Sequence, residues 1–186
     1  MALGEAFESV LCAAQGGGEW AFARLYEEYN PRLLRYFAAR APAAAEDLAA
    51  ETWIGAARGL RSFVGDETRF RSWLFTIAHR RTVDHWAAQR QAPSDPVPIT
   101  ELDAYLAPDD PEGAVLDAHA ARAAVQRIAS ILPPDQVDVV LLRLLGGLSV
   151  DQVAEVLGKR PGTVRVLQHR ALRRLAKEIS LEDVTG

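Results

Sequence analysis

The sequence predicts an all-α protein. Two small helical domains are joined by an extended acidic linker, and the C-terminal domain carries a helix-turn-helix. Three observations lead there. Strand signals are nearly absent: no hairpin dipeptide sits between alternating runs, and the β-branched residues are scattered. Apolar residues recur at helical spacing through most of the chain. Composition then breaks sharply near residue 92, where proline and acid replace arginine. The expected units are residues 6–91, a linker at 92–113, and residues 114–181.

In the first unit, Trp20, Phe22, Leu25, Tyr26 and Tyr29 start one helix, and Leu33, Leu34, Tyr36 and Phe37 continue it beyond Pro31. The segment AEDLAAETWIGAARGLRSF follows, with Leu48, Thr52, Ile54 and Leu60 near helical periods. Gly65 and Asp66 punctuate. A further helix is expected from about Phe70 to about Arg90, with Phe70, Trp73, Leu74 and Ile77 as its apolar stripe.

From Gln91 to Ala121 the chain has no Lys or Arg, and half of its 10 prolines lie between Pro93 and Pro111. Proline removes helix donors and like charges repel, so this stretch reads as an extended spacer. Two domains joined this way are expected to move freely when unbound. After it, AVLDAHAARAAVQRIASIL reads as a helix stopped by Pro133 and Pro134. DQVDVVLLRLLGG is another, with Val137, Val140, Leu141 and Leu144 on one face and Gly146 as a stop signal.

Next comes LSVDQVAEVLGKRPGTVRVLQHRALRRLAK, which collects seven Lys and Arg in a chain of net charge -4. Ser149 can cap a helix, and Gln152 completes a capping box. Gly158 accepts positive φ at a tight turn, and Pro161 suits the first turn of the next helix. Small Ala154 lets the helices cross closely, while Val164 and Leu167 face inward. This is the pattern of a helix-turn-helix. The outward positions of the second helix are Thr163, Arg165, Val166, Gln168, His169, Arg170 and Arg173. Arg can donate two bonds to a guanine edge and Gln can read adenine. Lys159, Arg160, Arg174 and Lys177 can contact phosphates. A solvated basic helix, favoured by the dipole at its C-terminus, is the plainer alternative.

Composition excludes several classes. One cysteine, Cys12, leaves no disulfide framework and no cysteine-built zinc site. His79, His85, His119 and His169 lack metal-ligand spacing, and no glycine-rich phosphate loop appears. No cofactor, metal or catalytic residue is therefore assigned. The N-terminus MALGEAFESV is acidic without a long apolar core, and no apolar run approaches a membrane span, so a soluble cytoplasmic protein is expected.

The segment from Ile131 to Leu175 resembles the C-terminal, promoter-reading domain of bacterial RNA polymerase sigma factors. AFARLYEEYNPRLLRYFAARA, AEDLAAETWIGAARGLRSF and FRSWLFTIAHRRTVDHWAAQR are similar to consecutive segments of the sigma core domain. With only these two domains and an acidic linker, the chain is identified as a member of the extracytoplasmic-function (ECF) group of the sigma-70 family. The resemblance implies an alternative sigma factor that binds core RNA polymerase, directs it to promoters and supports opening. It is not an enzyme.

The resemblance also implies roles for particular residues. Asp47, Leu48, Glu51 and Trp53 would grip the coiled coil of the polymerase's largest subunit, and the polymerase flap is a further expected contact. Asp47 and Glu51, four apart, share one helix face. The loop from Phe63 to Arg69 and the helix after it would handle the minus-ten element, with Arg69, Arg71, Arg80, Arg81 and His85 as contacts to the opened strand. Trp73 lies on the apolar stripe and reads as core rather than as a stacking platform. Asp84 stands where it can pair with Arg80 or Arg81 instead. The outward face of the second helix would read the minus-thirty-five element. There Val166 and Leu167 depart from the relatives' small polar and basic pair, and KRPGT lacks their Ser cap. The linker would thread the polymerase cleft, and an anti-sigma protein is an expected partner. A helix-turn-helix regulator reading an operator is the alternative, although the first domain shows no phospho-acceptor α/β pattern.

Overall fold

The computed structural model describes residues 3–91 and 112–185, with side chains described at 3–91 and 120–178. Every regular element among them is helical. The first unit holds α1 (Phe7–Gln15), α2 (Glu19–Arg40), α3 (Ala45–Leu60) and α4 (Glu67–Gln91). The second holds α5 (Glu112–Ile131), α6 (Pro134–Leu144), α7 (Val150–Leu157) and α8 (Pro161–Thr185). The expected linker at 92–113 lies outside the described residues, except that α5 already includes 112 and 113.

α2 runs unbroken through Pro31, as the apolar spacing on both sides anticipates. A proline inside a helix removes one hydrogen bond and costs about 3 kcal/mol. Burial offsets it: Leu25, Tyr29, Leu33, Tyr36 and Phe37 are wholly inaccessible to solvent along the same stripe, each side chain contributing roughly 1.5–3 kcal/mol. Around this stripe the rings of Phe7, Tyr29, Phe63 and Trp73 all pack on Phe70, with centroids 5.3–5.7 Å away. Trp73, half-buried, therefore packs against the core. Gly59 lets it in, since a Cβ there would lie 2.8 Å from Trp73 Cζ2.

α4 starts earlier than its apolar stripe indicates, because Asp66 Oδ1 accepts the Arg69 amide at 2.8 Å and so caps the helix. The Glu67 carboxylate meanwhile accepts the Leu3 and Gly4 amides at 3.2 and 3.0 Å and the Tyr29 hydroxyl at 2.7 Å. Burial, reinforced by the bond to Glu67, raises the Tyr29 phenol far above its ordinary range and keeps it a donor.

In the second unit, Pro133 and Pro134 separate α5 from α6, with Pro134 at the first helical position. Val137, Val139, Leu141 and Leu142 of α6 pack with Leu148, Val153, Val164 and Ala171.

The two units are in contact in the structure. α5 packs along α2, and α7 packs along α4. The buried apolar residues of both units form one continuous cluster. Phe75 of α4 lies against Gly146 at this contact.

Candidate nucleic-acid and protein interfaces

The helix-turn-helix forms as the local chemistry dictates. The Ser149 hydroxyl accepts the Gln152 amide at 3.2 Å, and the Gln152 side chain accepts the Ser149 amide at 2.9 Å. Gly158 ends α7 in the left-handed region, with φ 61° and ψ 33°, a conformation that glycine adopts without penalty. The Lys159 amide then closes back on the Ala154 carbonyl at 2.9 Å. Ala154 and Val164 are buried at the helix crossing.

Along α8, Val164 and Ala171 are completely buried and Leu167 is half-buried. By the helical period, Val166, His169, Arg173 and Lys177 run along the opposite side. Arg165 flanks them on one edge, and Thr163, Arg170 and Arg174 on the other. All of these are exposed. Gln168 is different: it is half-buried and turns toward the core edge of the helix. Arg160 is exposed beside the turn, whereas Lys159 Nζ sits 3.4 Å from Asp135 Oδ2. The open face is therefore strongly cationic, although the whole chain is acidic.

The five residues expected at the minus-ten element do not form one surface. Arg69 and Arg80 are exposed on a shared side of α4, next to exposed Val83. Arg81 lies on another side, with its Nε 3.7 Å from the Glu51 carboxylate of α3. His85 shares that flank and meets Gln89 at 3.0 Å. Arg71 turns toward the second unit, beside Gly147. Glu51, not Asp84, is thus the acidic partner of Arg81.

On α3, Asp47 and Glu51 are exposed as expected. Leu48 and Trp53, expected to touch the partner directly, instead point inward. They are 4% and 5% exposed and belong to the core. The Trp53 ring lies 5.6 Å from Phe22 and 5.2 Å from Tyr26, and its indole N–H donates to Asn30 at 3.1 Å. A large ring whose polar atom finds an internal partner gains more inside than outside. Ile54 shows the reverse, at 52% exposed. With Asp47, Glu51 and Arg58 it completes one open stripe at helical spacing. An apolar residue in register with charged ones was the available signal for it.

Between the units lies a second charged group that the sequence did not mark. Arg40, at the end of α2, and Asp138, on α6, are nearly buried, with Nε 2.9 Å from Oδ1 and Nη2 donating to Oδ2 at 3.3 Å. The Nε contact is close but poorly aligned for a hydrogen bond. The Arg40 guanidinium lies 4.5 Å above the Trp86 ring of α4. Burial pushes the Asp138 carboxyl up to about 6, more than Arg40 pulls it down. Next to it, His79 meets the Tyr36 hydroxyl at 3.2 Å, and burial lowers its imidazole to about 4, with Arg40 and Lys159 adding to the effect.

Comparison with known proteins identifies the family. Residues 25–92 match the family described as Sigma-70 region 2, and residues 122–175 match Sigma-70, region 4. The chain is 38% identical over 169 residues to the ECF RNA polymerase sigma factor BldN of Streptomyces coelicolor, a match covering 88% of this chain and 62% of that one. It is 30% identical over 185 residues to the ECF RNA polymerase sigma factor SigD of Mycobacterium tuberculosis, covering 95% of this chain and 85% of SigD. Among solved structures, CnrH in complex with the cytosolic domain of CnrY shares the fold, with a TM-score of 0.60 at 20% identity over 95% of this chain and 99% of CnrH. No helix among the described residues is long and apolar enough to cross a membrane.

Proposed function

Because the chain belongs to the ECF group of sigma-70 family RNA polymerase sigma factors, we propose that its two units divide promoter recognition between them. The protein binds core polymerase, directs it to specific promoters and supports opening, and carries out no catalysis itself. It works in the cytoplasm, where polymerase and DNA are. The second unit reads the minus-thirty-five element through Arg165, Val166, His169, Arg170 and Arg173. Thr163, Arg160, Arg174 and Lys177 position the helix on phosphates. The single observation that carries this is the exposed cationic side of α8, set on a capped helix and a left-handed glycine turn.

For the first unit, Asp47, Glu51 and Ile54 offer a mixed acidic and apolar stripe. That suits a basic, partly apolar partner such as the polymerase coiled coil. Arg69 and Arg80, on the open side of α4, are placed for the opened strand at the minus-ten element. Leu48 and Trp53 support this face from beneath. An anti-sigma factor is the expected restraint, and its target is these same surfaces.

Run-off transcription tests the reading. The purified chain is added to core polymerase lacking sigma, with genomic promoter fragments as template. Discrete transcripts that depend on the chain are expected. No transcript together with no binding to core would leave an operator-binding regulator as the better description.

A further inference from the structure

Val166 is an apolar side chain in the middle of a cationic face, and it is 48% exposed. Its direction follows from the helical period. Val164 and Ala171 are completely buried and point inward, while Gly162, Val166, His169 and Arg173 fall near the opposite line of α8. The neighbours of Val166 one turn away are Gly162, Thr163, His169 and Arg170, all of them exposed. Val166 does not pack against the hydrophobic core. Leu172 is exposed as well, but it stands on a flank of α8 and more than a turn farther from the helix-turn-helix corner.

Gly162 precedes Val166 by one turn on the same line. Glycine inside a helix lowers stability relative to alanine, and packing does not require it here: a Cβ at Gly162 would meet nothing within 4 Å. Gly59 is the opposite case, because its Cβ would strike Trp73. Unlike Gly158, Gly162 lies inside its helix and not at a left-handed turn. The missing Cβ lowers the surface of α8 beside Val166, so that another surface can come closer there.

In the major groove, thymine presents an apolar group, its C5 methyl, beside the hydrogen-bonding edges of the other bases. Valine has no donor or acceptor. Pressed against a polar base edge, it would strip water from that edge and leave its hydrogen bonds unmade. Against a methyl group it loses nothing and buries apolar surface. We propose that Val166 is a specificity-determining residue that reads the C5 methyl group of a thymine in the minus-thirty-five element, and that Gly162 lets α8 come close enough for this contact. The assignment rests on reading α8 as the promoter-reading helix.

The test uses the full chain on core polymerase with the promoter fragments found by run-off transcription. Each thymine of the minus-thirty-five element, on either strand, is replaced in turn by uracil. That change removes the methyl group and keeps every hydrogen-bonding atom. At one position it should weaken promoter binding about fourfold, the worth of one buried methyl group. With Val166→Ser, thymine and uracil at that position should bind equally. Arg165→Ala should weaken both templates and keep their ratio. Gly162→Ala should raise the urea midpoint of the free chain yet weaken promoter binding, a pair of opposite effects that a purely structural glycine would not give. Far-UV circular dichroism checks that each variant is folded. An element without thymine, no uracil effect at any position, a ratio that persists in Val166→Ser, or a ratio lost in Arg165→Ala would each overturn the role of Val166. Native promoter binding by Gly162→Ala would overturn the close approach. A chain that directs no transcript at all would count against the proposed function and remove this assignment with it, whereas discrete transcripts without a uracil effect would remove this assignment alone.

Discussion

Replacing His79 and Asp138 one at a time should unmask two opposite pH dependences that cancel in the native chain. Asp138 faces Arg40 of α2, Asp135 of its own helix and Lys159 of the turn before α8; His79 faces Tyr36 and Arg40 of α2 and the same Lys159. Burial raises the Asp138 carboxyl from 3.8 to about 6 and lowers the His79 imidazole from 6.5 to about 4. A raised carboxyl holds its proton more tightly in the folded state. Its contribution is thus complete below about pH 4 and lost as pH rises through about 6. The depressed imidazole contributes fully above about pH 6.5 and loses that contribution as pH falls through about 4. Each group is displaced by roughly two pH units, and at about 1.4 kcal/mol per unit each is worth roughly 3 kcal/mol. The two slopes run oppositely over nearly the same window. Urea unfolding followed by circular dichroism at several pH values between about 4 and about 7 measures them. Asp138→Asn should lose stability on acidification relative to the native chain, and His79→Gln should gain it. Parallel profiles for both variants and the native chain would refute this account of the buried pair.

Three further outcomes are expected. Gly158→Ala should lower unfolding stability by about 1 kcal/mol, because the added Cβ meets nothing within 4 Å and only the left-handed φ of 61° is penalised; an unchanged urea midpoint would contradict that turn. Arg165→Ala and Arg170→Ala should each cut promoter-dependent transcription by about tenfold, as expected for losing a base contact worth roughly 1–3 kcal/mol, with core binding preserved. Unchanged transcription in both removes the recognition-helix assignment. Asp47→Arg combined with Glu51→Arg should weaken association with core polymerase in a pull-down or by fluorescence anisotropy, and normal association sinks the α3 assignment.

Much of the fold could be read from local chemistry. Ser149, Gln152, Gly158 and Pro161 each act within a few residues of themselves, so their roles in the helix-turn-helix are encoded where they stand. The apolar stripe of α4 likewise placed Trp73 against the core. What failed was the inference from residue type to exposure. Leu48 and Trp53 sit among acidic neighbours, yet Trp53 turns inward because Phe22, Tyr26 and Asn30 on α2 complete its pocket. Ile54 turns outward because the period of α3 leaves it no core to enter. Arg40 and Asp138 are 98 positions apart, and nothing local to either announces the other. The docking of the units was hidden for the same reason: a proline-rich spacer argues for separation, and the contacts of α2 with α5 and of α4 with α7 join residues far apart in sequence.

Glu67 carries a practical consequence for anyone handling this protein. Its carboxylate holds the backbone amides of Leu3 and Gly4 and the Tyr29 hydroxyl at once, which staples the leading residues to the first turn of α4. An affinity tag fused directly ahead of Leu3 would sit against that staple, two residues before the helix proposed to meet melted promoter begins to bear Arg69. A purification handle is therefore better placed at the other end of the chain, or ahead of a generous spacer. Reduced activity in an N-terminally tagged preparation should first be blamed on this junction.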